Sequence, residues 1–100
     1  MKEHKVLIDE VTDGKLAKKE DILDKLFEGY INYRDIKDLP KGANDCTVAK
    51  YAVDKNLDVL TEDKKFYIGY FDAKFKKIEI TEFTDKFQTK DRVYRIKKIK

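Results

Sequence analysis

Asn56-Leu57-Asp58-Val59-Leu60-Thr61-Glu62-Asp63-Lys64-Lys65-Phe66 decides how this chain is read. Leu57 to Thr61 has the composition of a buried strand, and it breaks into two consecutive acids, Glu62 and Asp63. A second segment repeats the form, with Lys5-Val6-Leu7-Ile8 running straight into Asp9-Glu10. A short apolar run bounded by polar residues suits a strand covered on both faces, as in a parallel sheet. Ligands of open α/β sheets sit beyond the carboxyl ends of the strands. If these two strands are parallel neighbours, Asp9 and Asp63 face one crevice.

The rest of the chain supplies crossovers. Val11-Thr12-Asp13-Gly14 is expected to be a loop, with Asp13-Gly14 as its turn signal. The spacing of Leu16, Leu23, Leu26 and Phe27 predicts a helix from Leu16 to Glu28, stopped by Gly29. Tyr30 to Tyr33 predicts a strand, and Asp35 to Gly42 a loop around the only proline, Pro40. Asn44 is placed to cap a helix from Asp45 to Lys55, with Val48, Ala49 and Ala52 inward. Lys64 to Phe71 predicts a short helical turn, and Lys77 to Phe83 another strand. Asp85 to Lys100 fits two patterns. Val93, Ile96 and Ile99 have helical spacing, whereas Tyr94 and Ile96 suit an edge strand. Strands alternating with helices imply right-handed parallel crossovers and an α/β sandwich.

The 100 residues suffice for one domain with one modest core. The chain is 43% charged, but its apolar residues are clustered and periodic, so disorder is not implied. No apolar run approaches the roughly 20 residues of a membrane helix, and the N-terminus lacks a signal-peptide core. Cys46, the only cysteine, has no disulfide partner within the chain, which points to a reducing cytoplasm. One histidine and one cysteine leave no ligand set for structural zinc. The net charge of +3 is uneven: Lys90 to Lys100 holds six basic residues and one acid, +5, so the other residues sum to −2.

Three segments together resemble the PIN-like nucleases, in particular their small bacterial and archaeal branch. They are Leu7-Ile8-Asp9-Glu10, Asn44-Asp45-Cys46-Thr47-Val48-Ala49-Lys50-Tyr51-Ala52, and Val59-Leu60-Thr61-Glu62-Asp63-Lys64-Lys65-Phe66. Asp9 matches the family's acid at the end of the first strand. Asp45 matches its helix-start acid, with Val48 and Ala52 in the apolar slots. Asp63 matches the acid after the late strand, with Phe66 in the aromatic slot. The resemblance spans Val6 to Phe66, and the family's further acid between the first helix and Asp45 has no counterpart. It implies a small three-layer α/β sandwich with a mostly parallel central sheet over residues 1–89. Residues 90–100 are then a basic C-terminal tail packed on the domain or extending from it.

The same resemblance implies a metal-dependent endoribonuclease, a phosphodiester hydrolase of the cytoplasm. Asp9, Asp45 and Asp63 would be the catalytic residues, holding Mg²⁺ or Mn²⁺. Such an enzyme serves as the toxin of a toxin–antitoxin pair or in RNA processing. The physical case runs alongside: crowded carboxylates repel, and a hard divalent cation that takes oxygen ligands relieves them. Glu10, Thr61 and Glu62 are expected to support these acids, and Lys41, Lys64 and Lys65 to contact phosphate. RNA is the expected partner, together with an antitoxin or other protein or a second copy of the chain, and no membrane. The alternative is a catalytically inactive PIN-like module that binds RNA or a protein, favoured by shortness and the absent middle acid. A phosphoacceptor receiver domain fits less well, since the last predicted strand ends in Thr84-Asp85 where a lysine is required.

Overall fold

Val6, Leu7 and Ile8 are all fully buried and make strand β1 (Val6–Ile8). Side chains alternate across a strand. Leu7 therefore enters one apolar cluster, while Val6 and Ile8 enter a second on the opposite face. The chain continues through α1 (Glu10–Leu16), α2 (Glu20–Leu26) and β2 (Tyr30–Asn32) to a 3₁₀ turn at Tyr33–Asp35. Then come α3 (Asp45–Asp54), β3 (Asp58–Thr61), a 3₁₀ turn at Lys64–Phe66 and α4 (Tyr67–Asp72). β4 (Ile78–Glu82), α5 (Thr84–Phe87) and β5 (Tyr94–Lys98) complete it. This computed structural model describes residues 2–99.

The strands form one sheet in the order β2-β1-β3-β5-β4. β1 pairs in parallel with both β2 and β3, and Ile8 stands opposite Leu60, as the strand-end argument requires. β5 runs antiparallel to both β3 and β4. The sheet is therefore mixed, which corrects the expectation of a mostly parallel one. The cause is the link between β4 and β5. Residues 83–93 hold only the four-residue α5 and a left-handed Gln88 at φ 51°. A parallel return needs a crossover of a dozen or more residues.

Three local expectations also change. Helix α1 begins at Glu10, where a loop was expected over Val11 to Gly14, because Asp9 caps it and Thr12 and Asp13 turn inward. The single helix predicted from Leu16 to Glu28 is two, broken between Leu16 and Glu20. The basic segment after Lys90 supplies β5, an inner strand rather than an edge strand, tail or helix. Arg95 on β5 is buried, bonded to Glu3 at 2.6 Å and Glu79 at 3.3 Å and set 5.2 Å from the Phe83 ring. Lys100 lies outside the described residues.

One core cluster gathers Val48, Ala49 and Ala52 of α3 and Tyr70 of α4 against Leu7, Val59 and Ile96. The other gathers Leu16, Leu23 and Phe87 from α1, α2 and α5 against Val6, Ile8 and Leu60. Burying each large side chain contributes about 1.5–3 kcal/mol, and most of the large ones sit on β1, β3 and the helices beside them. β1 and β3 are thus covered on both faces of the sheet. Among the described residues no helix is long and apolar enough to cross a membrane.

Candidate functional site

Because β1 and β3 end side by side, the residues that follow them meet. The Asp9 amide donates to the Leu60 carbonyl at 3.0 Å, which continues the ladder by one residue. The Asp9 carboxylate accepts from the Glu10 amide at 2.8 Å through Oδ1 and from the Thr61 hydroxyl at 3.1 Å through Oδ2. Thr61 is fully buried at the end of β3, and its Oγ1 accepts in turn from the Asp63 amide at 3.1 Å. One hydroxyl thus ties the two strand-end acids together. Asp63 Oδ1 accepts from the Lys65 amide at 3.0 Å and caps the turn after β3.

Asp45 arrives from the next element, as the first residue of α3. Asn44 caps that helix by accepting from the Thr47 amide at 2.8 Å, as its position predicts. What fixes Asp45 is α4. A Cβ built on Gly69 would stand 2.6 Å from the Asp45 carbonyl carbon and Cβ, so α4 reaches the start of α3 only because residue 69 has no side chain.

The three aspartates share one electrostatic environment. The Asp9 carboxyl is raised above its ordinary pKa chiefly by burial, against which the Glu10 amide and Thr61 hydroxyl work. The charges of Glu10 and Asp63 raise it further. Asp45 is raised first by burial and then by repulsion from Asp9 and Asp63, although the residue as a whole is exposed. Among the described residues no cation offsets either shift. The donor chemistry available here is carboxylate and hydroxyl oxygen, which fits a hard divalent ion such as Mg²⁺ or Mn²⁺. Among the described residues, no group of three or more His, Cys, Asp or Glu side chains is arranged to hold a metal ion. Oδ1 of Asp9, Oδ2 of Asp9 and Oδ1 of Asp63 are each turned to a hydrogen bond within the protein.

The neighbouring residues divide. Glu10 Oε2 accepts from the Gly42 amide at 3.3 Å and lines a cavity together with Lys41. Glu62 is paired with Lys15 at 2.6 Å. Lys65 lines a groove of about 350 Å³ with Asp45, Cys46 and Gly69. Lys64 is exposed on the turn that follows Asp63. His4 lies at the other end of β1, its Nε2 2.5 Å from the Asn56 carbonyl, so no imidazole reaches the acids.

Sequence reasoning missed Thr12, Asp13 and Arg34. Thr12 Oγ1 accepts from the Glu62 amide at 2.8 Å and locks α1 to the end of β3. Asp13 is 5% exposed and pairs with Arg34 Nε at 3.3 Å; burial raises its carboxyl and Arg34 lowers it. The signal was the spacing of Asp9, Thr12 and Asp13, one helical turn, hidden by reading Asp13-Gly14 as a reversal. Comparison with protein families, with curated proteins and with solved structures finds no match to this chain.

Proposed function

We propose that this protein is a metal-dependent ribonuclease of the cytoplasm with a PIN-like, three-layer fold. What supports the reading is that Asp9 and Asp63 follow the parallel strands β1 and β3 and that the charges of both raise the carboxyl of Asp45, at the start of α3. Asp9, Asp45 and Asp63 would hold Mg²⁺ or Mn²⁺, which when bound supplies an activated water and stabilises charge on phosphate. Thr61 orients Asp9 and spaces it from Asp63. Glu10 holds the Gly42 amide and with it the loop that carries Lys41. We assign Lys41, Lys64 and Lys65 to the phosphates of RNA: Lys65 lines a groove with Asp45, and Lys64 follows Asp63 in the chain. A toxin with a cognate antitoxin, or an RNA-processing enzyme, is the role this chemistry serves.

A second reading is an inactive module of the same fold that binds RNA, a protein partner or a second copy of itself. It is favoured by the hydrogen bonds that already occupy oxygens of Asp9 and Asp63. RNA cleavage by purified protein in Mn²⁺, with Asp9→Asn and Asp63→Asn prepared in parallel, separates the two. The nuclease reading expects cleavage that chelator abolishes and that both variants lose while remaining folded. Cleavage retained by both variants, or absent from the parent protein, rejects it.

A further inference from the structure

Helix α3 packs against α4, and a crease runs beside their contact. At one end is the groove that Lys65 shares with Asp45, Cys46, Ile68, Gly69 and Asp72. At the other end a hollow of about 510 Å³ is lined by Lys50, Tyr51, Val53, Asp54 and Phe75. Cys46 and Lys50 are four residues apart, and Val53 and Asp54 follow three and four residues later, so all lie on one side of α3. Ile68 and Asp72 have the same spacing on α4. The two hollows are therefore parts of one crease, which covers about 12 Å of α3 from Asp45 to Val53 at 1.5 Å per residue.

The end away from Asp45 is basic and firmly built. α4 closes on a left-handed residue, Lys74 at φ 74°. The Lys74 amide donates to the Phe71 carbonyl at 2.9 Å and the Phe75 amide to the Tyr70 carbonyl at 3.0 Å. This closure lays Phe75 against Tyr70, with ring centroids 6.2 Å apart. Lys74, Lys76 and Lys77 flank Phe75 in the chain and are exposed. Lys98 stands opposite Ile78 on β5, with its Nζ 5.6 Å from the centre of the Phe75 ring. Lys50 is exposed on α3. Among the described residues, none of these five lysines is ion-paired. The acids at this end are Asp54, which Lys55 engages at 3.9 Å, and the buried Asp58. The other end is acidic instead, with Asp45 and Asp72 against Lys65.

We propose that the basic end of this crease holds the backbone of single-stranded RNA, with phosphates on Lys50, Lys74, Lys76, Lys77 and Lys98. The proposal rests on the reading above for RNA as the partner and needs no metal. A positively charged groove that tracks the backbone is the general means of holding a single strand. Tyr51 and Phe75 are half-buried, and the ammonium groups of Lys55 and Lys98 lie over their rings at 5.8 Å and 5.6 Å. The crease therefore offers charge rather than open rings, and binding is independent of sequence. Packed helices lie about 8–10 Å apart, a spacing that admits one strand and not a duplex. A bilayer cannot enter a hollow of that width, so an anionic lipid surface fits less well.

The test is fluorescence anisotropy of a labelled oligouridylate in chelator across a range of salt concentrations. Three proteins are compared: the parent, a Lys74→Gln/Lys76→Gln/Lys77→Gln variant and a Lys18→Gln/Lys25→Gln/Lys86→Gln variant. The last removes the same charge from exposed lysines around α1, α2 and α5, on the other side of the sheet. Each phosphate contact on a single strand contributes about 0.7 to the slope of log K against log salt. The first variant should flatten that slope by up to about 2, and the second by much less. In amide NMR of the parent, the oligouridylate should shift residues 50, 74–77 and 98 and leave 18, 25 and 86 in place, which decides the matter if a variant fails to fold. Equal slopes for the two variants, shifts elsewhere or nowhere, or a duplex bound as tightly as the single strand overturns the proposal. So does binding of phosphatidylserine vesicles through these lysines with none of RNA. Cleavage in Mn²⁺ is read separately. RNA held in chelator but never cut rejects the nuclease reading and leaves the crease, and cleavage without these shifts does the reverse.

Discussion

Replacing Gly69 with alanine should destabilise the protein, although the same exchange in an open helix stabilises one. The new Cβ would lie 2.6 Å from the carbonyl carbon and Cβ of Asp45 and 2.8 Å from its carbonyl oxygen. Two of these atoms are backbone, so no flexible tip can move aside. Ordinary contact begins near 3.4 Å, so α3 and α4 must part by about 0.8 Å at this point. Overpacking of this kind costs about 1–3 kcal/mol, and alanine in a helix returns about 1 kcal/mol. The net loss is about 1 kcal/mol, a fall in Tm of about 4–8 °C for a domain this size. Gly14 in α1 is the control, because a Cβ there meets nothing within 4 Å. Gly14→Ala should raise stability by about 0.4–1 kcal/mol. Urea melts of the two variants and the parent read both signs at once. Moving Asp45 should also weaken Mn²⁺ binding in the Gly69 variant and leave it unchanged in the Gly14 variant. If both substitutions stabilise equally, α4 does not seat on Asp45 and the account of how that acid is positioned is wrong.

The remaining predictions concern charge. Asp9 and Asp45 have carboxyls raised in the folded state above the ordinary value of 3.8. The native protein therefore binds more protons than the unfolded chain just above that value, and their contribution to stability is lost as pH rises through the folded values. Without metal, Asp45→Asn should be more stable than the parent at neutral pH, and the advantage should shrink as pH falls toward about 4, in denaturant melts across pH. Equal stability across the range would mean that the carboxylates do not repel. Arg95→Ala should cost about 2–3 kcal/mol through lost packing on Phe83 and loss of two ion pairs, discounted because Glu3 and Glu79 are about half exposed. A change under about 0.5 kcal/mol would place it with ordinary surface residues. Removing residues 94–100 should abolish the cooperative melt, since β5 lies between β3 and β4; a folded truncation would make this segment the appendage its charge suggests.

What the sequence displayed was short-range. Val6 to Ile8 and Val59 to Thr61 are apolar enough to demand cover on both faces, and that placed Asp9 and Asp63 at neighbouring strand ends. The helix of Asp45 carried its own cap in Asn44. What stayed hidden depends on distant partners. Arg95 is tolerable inside a sheet only because Glu3, far away in the chain, comes to meet it, so six basic residues disguised an inner strand as a tail. Asp13-Gly14 disguised a helix as a turn, because the partner that draws Asp13 inward, Arg34, comes from beyond β2. Gly69 gave no hint of touching Asp45, since a close approach of two helices leaves no local pattern.

The central claim is that Asp9, Asp45 and Asp63 act together on a divalent cation. A crystal soaked in Mn²⁺ and measured at the manganese absorption edge tests it most directly. The account predicts an anomalous peak among these three carboxylates, at least two of them within about 2.0–2.4 Å of the ion, with the Asp9 and Asp63 side chains turned away from the Glu10 and Lys65 amides. Full soaking with no peak there, or a peak elsewhere on the surface while these carboxylates keep their present hydrogen bonds, would contradict it.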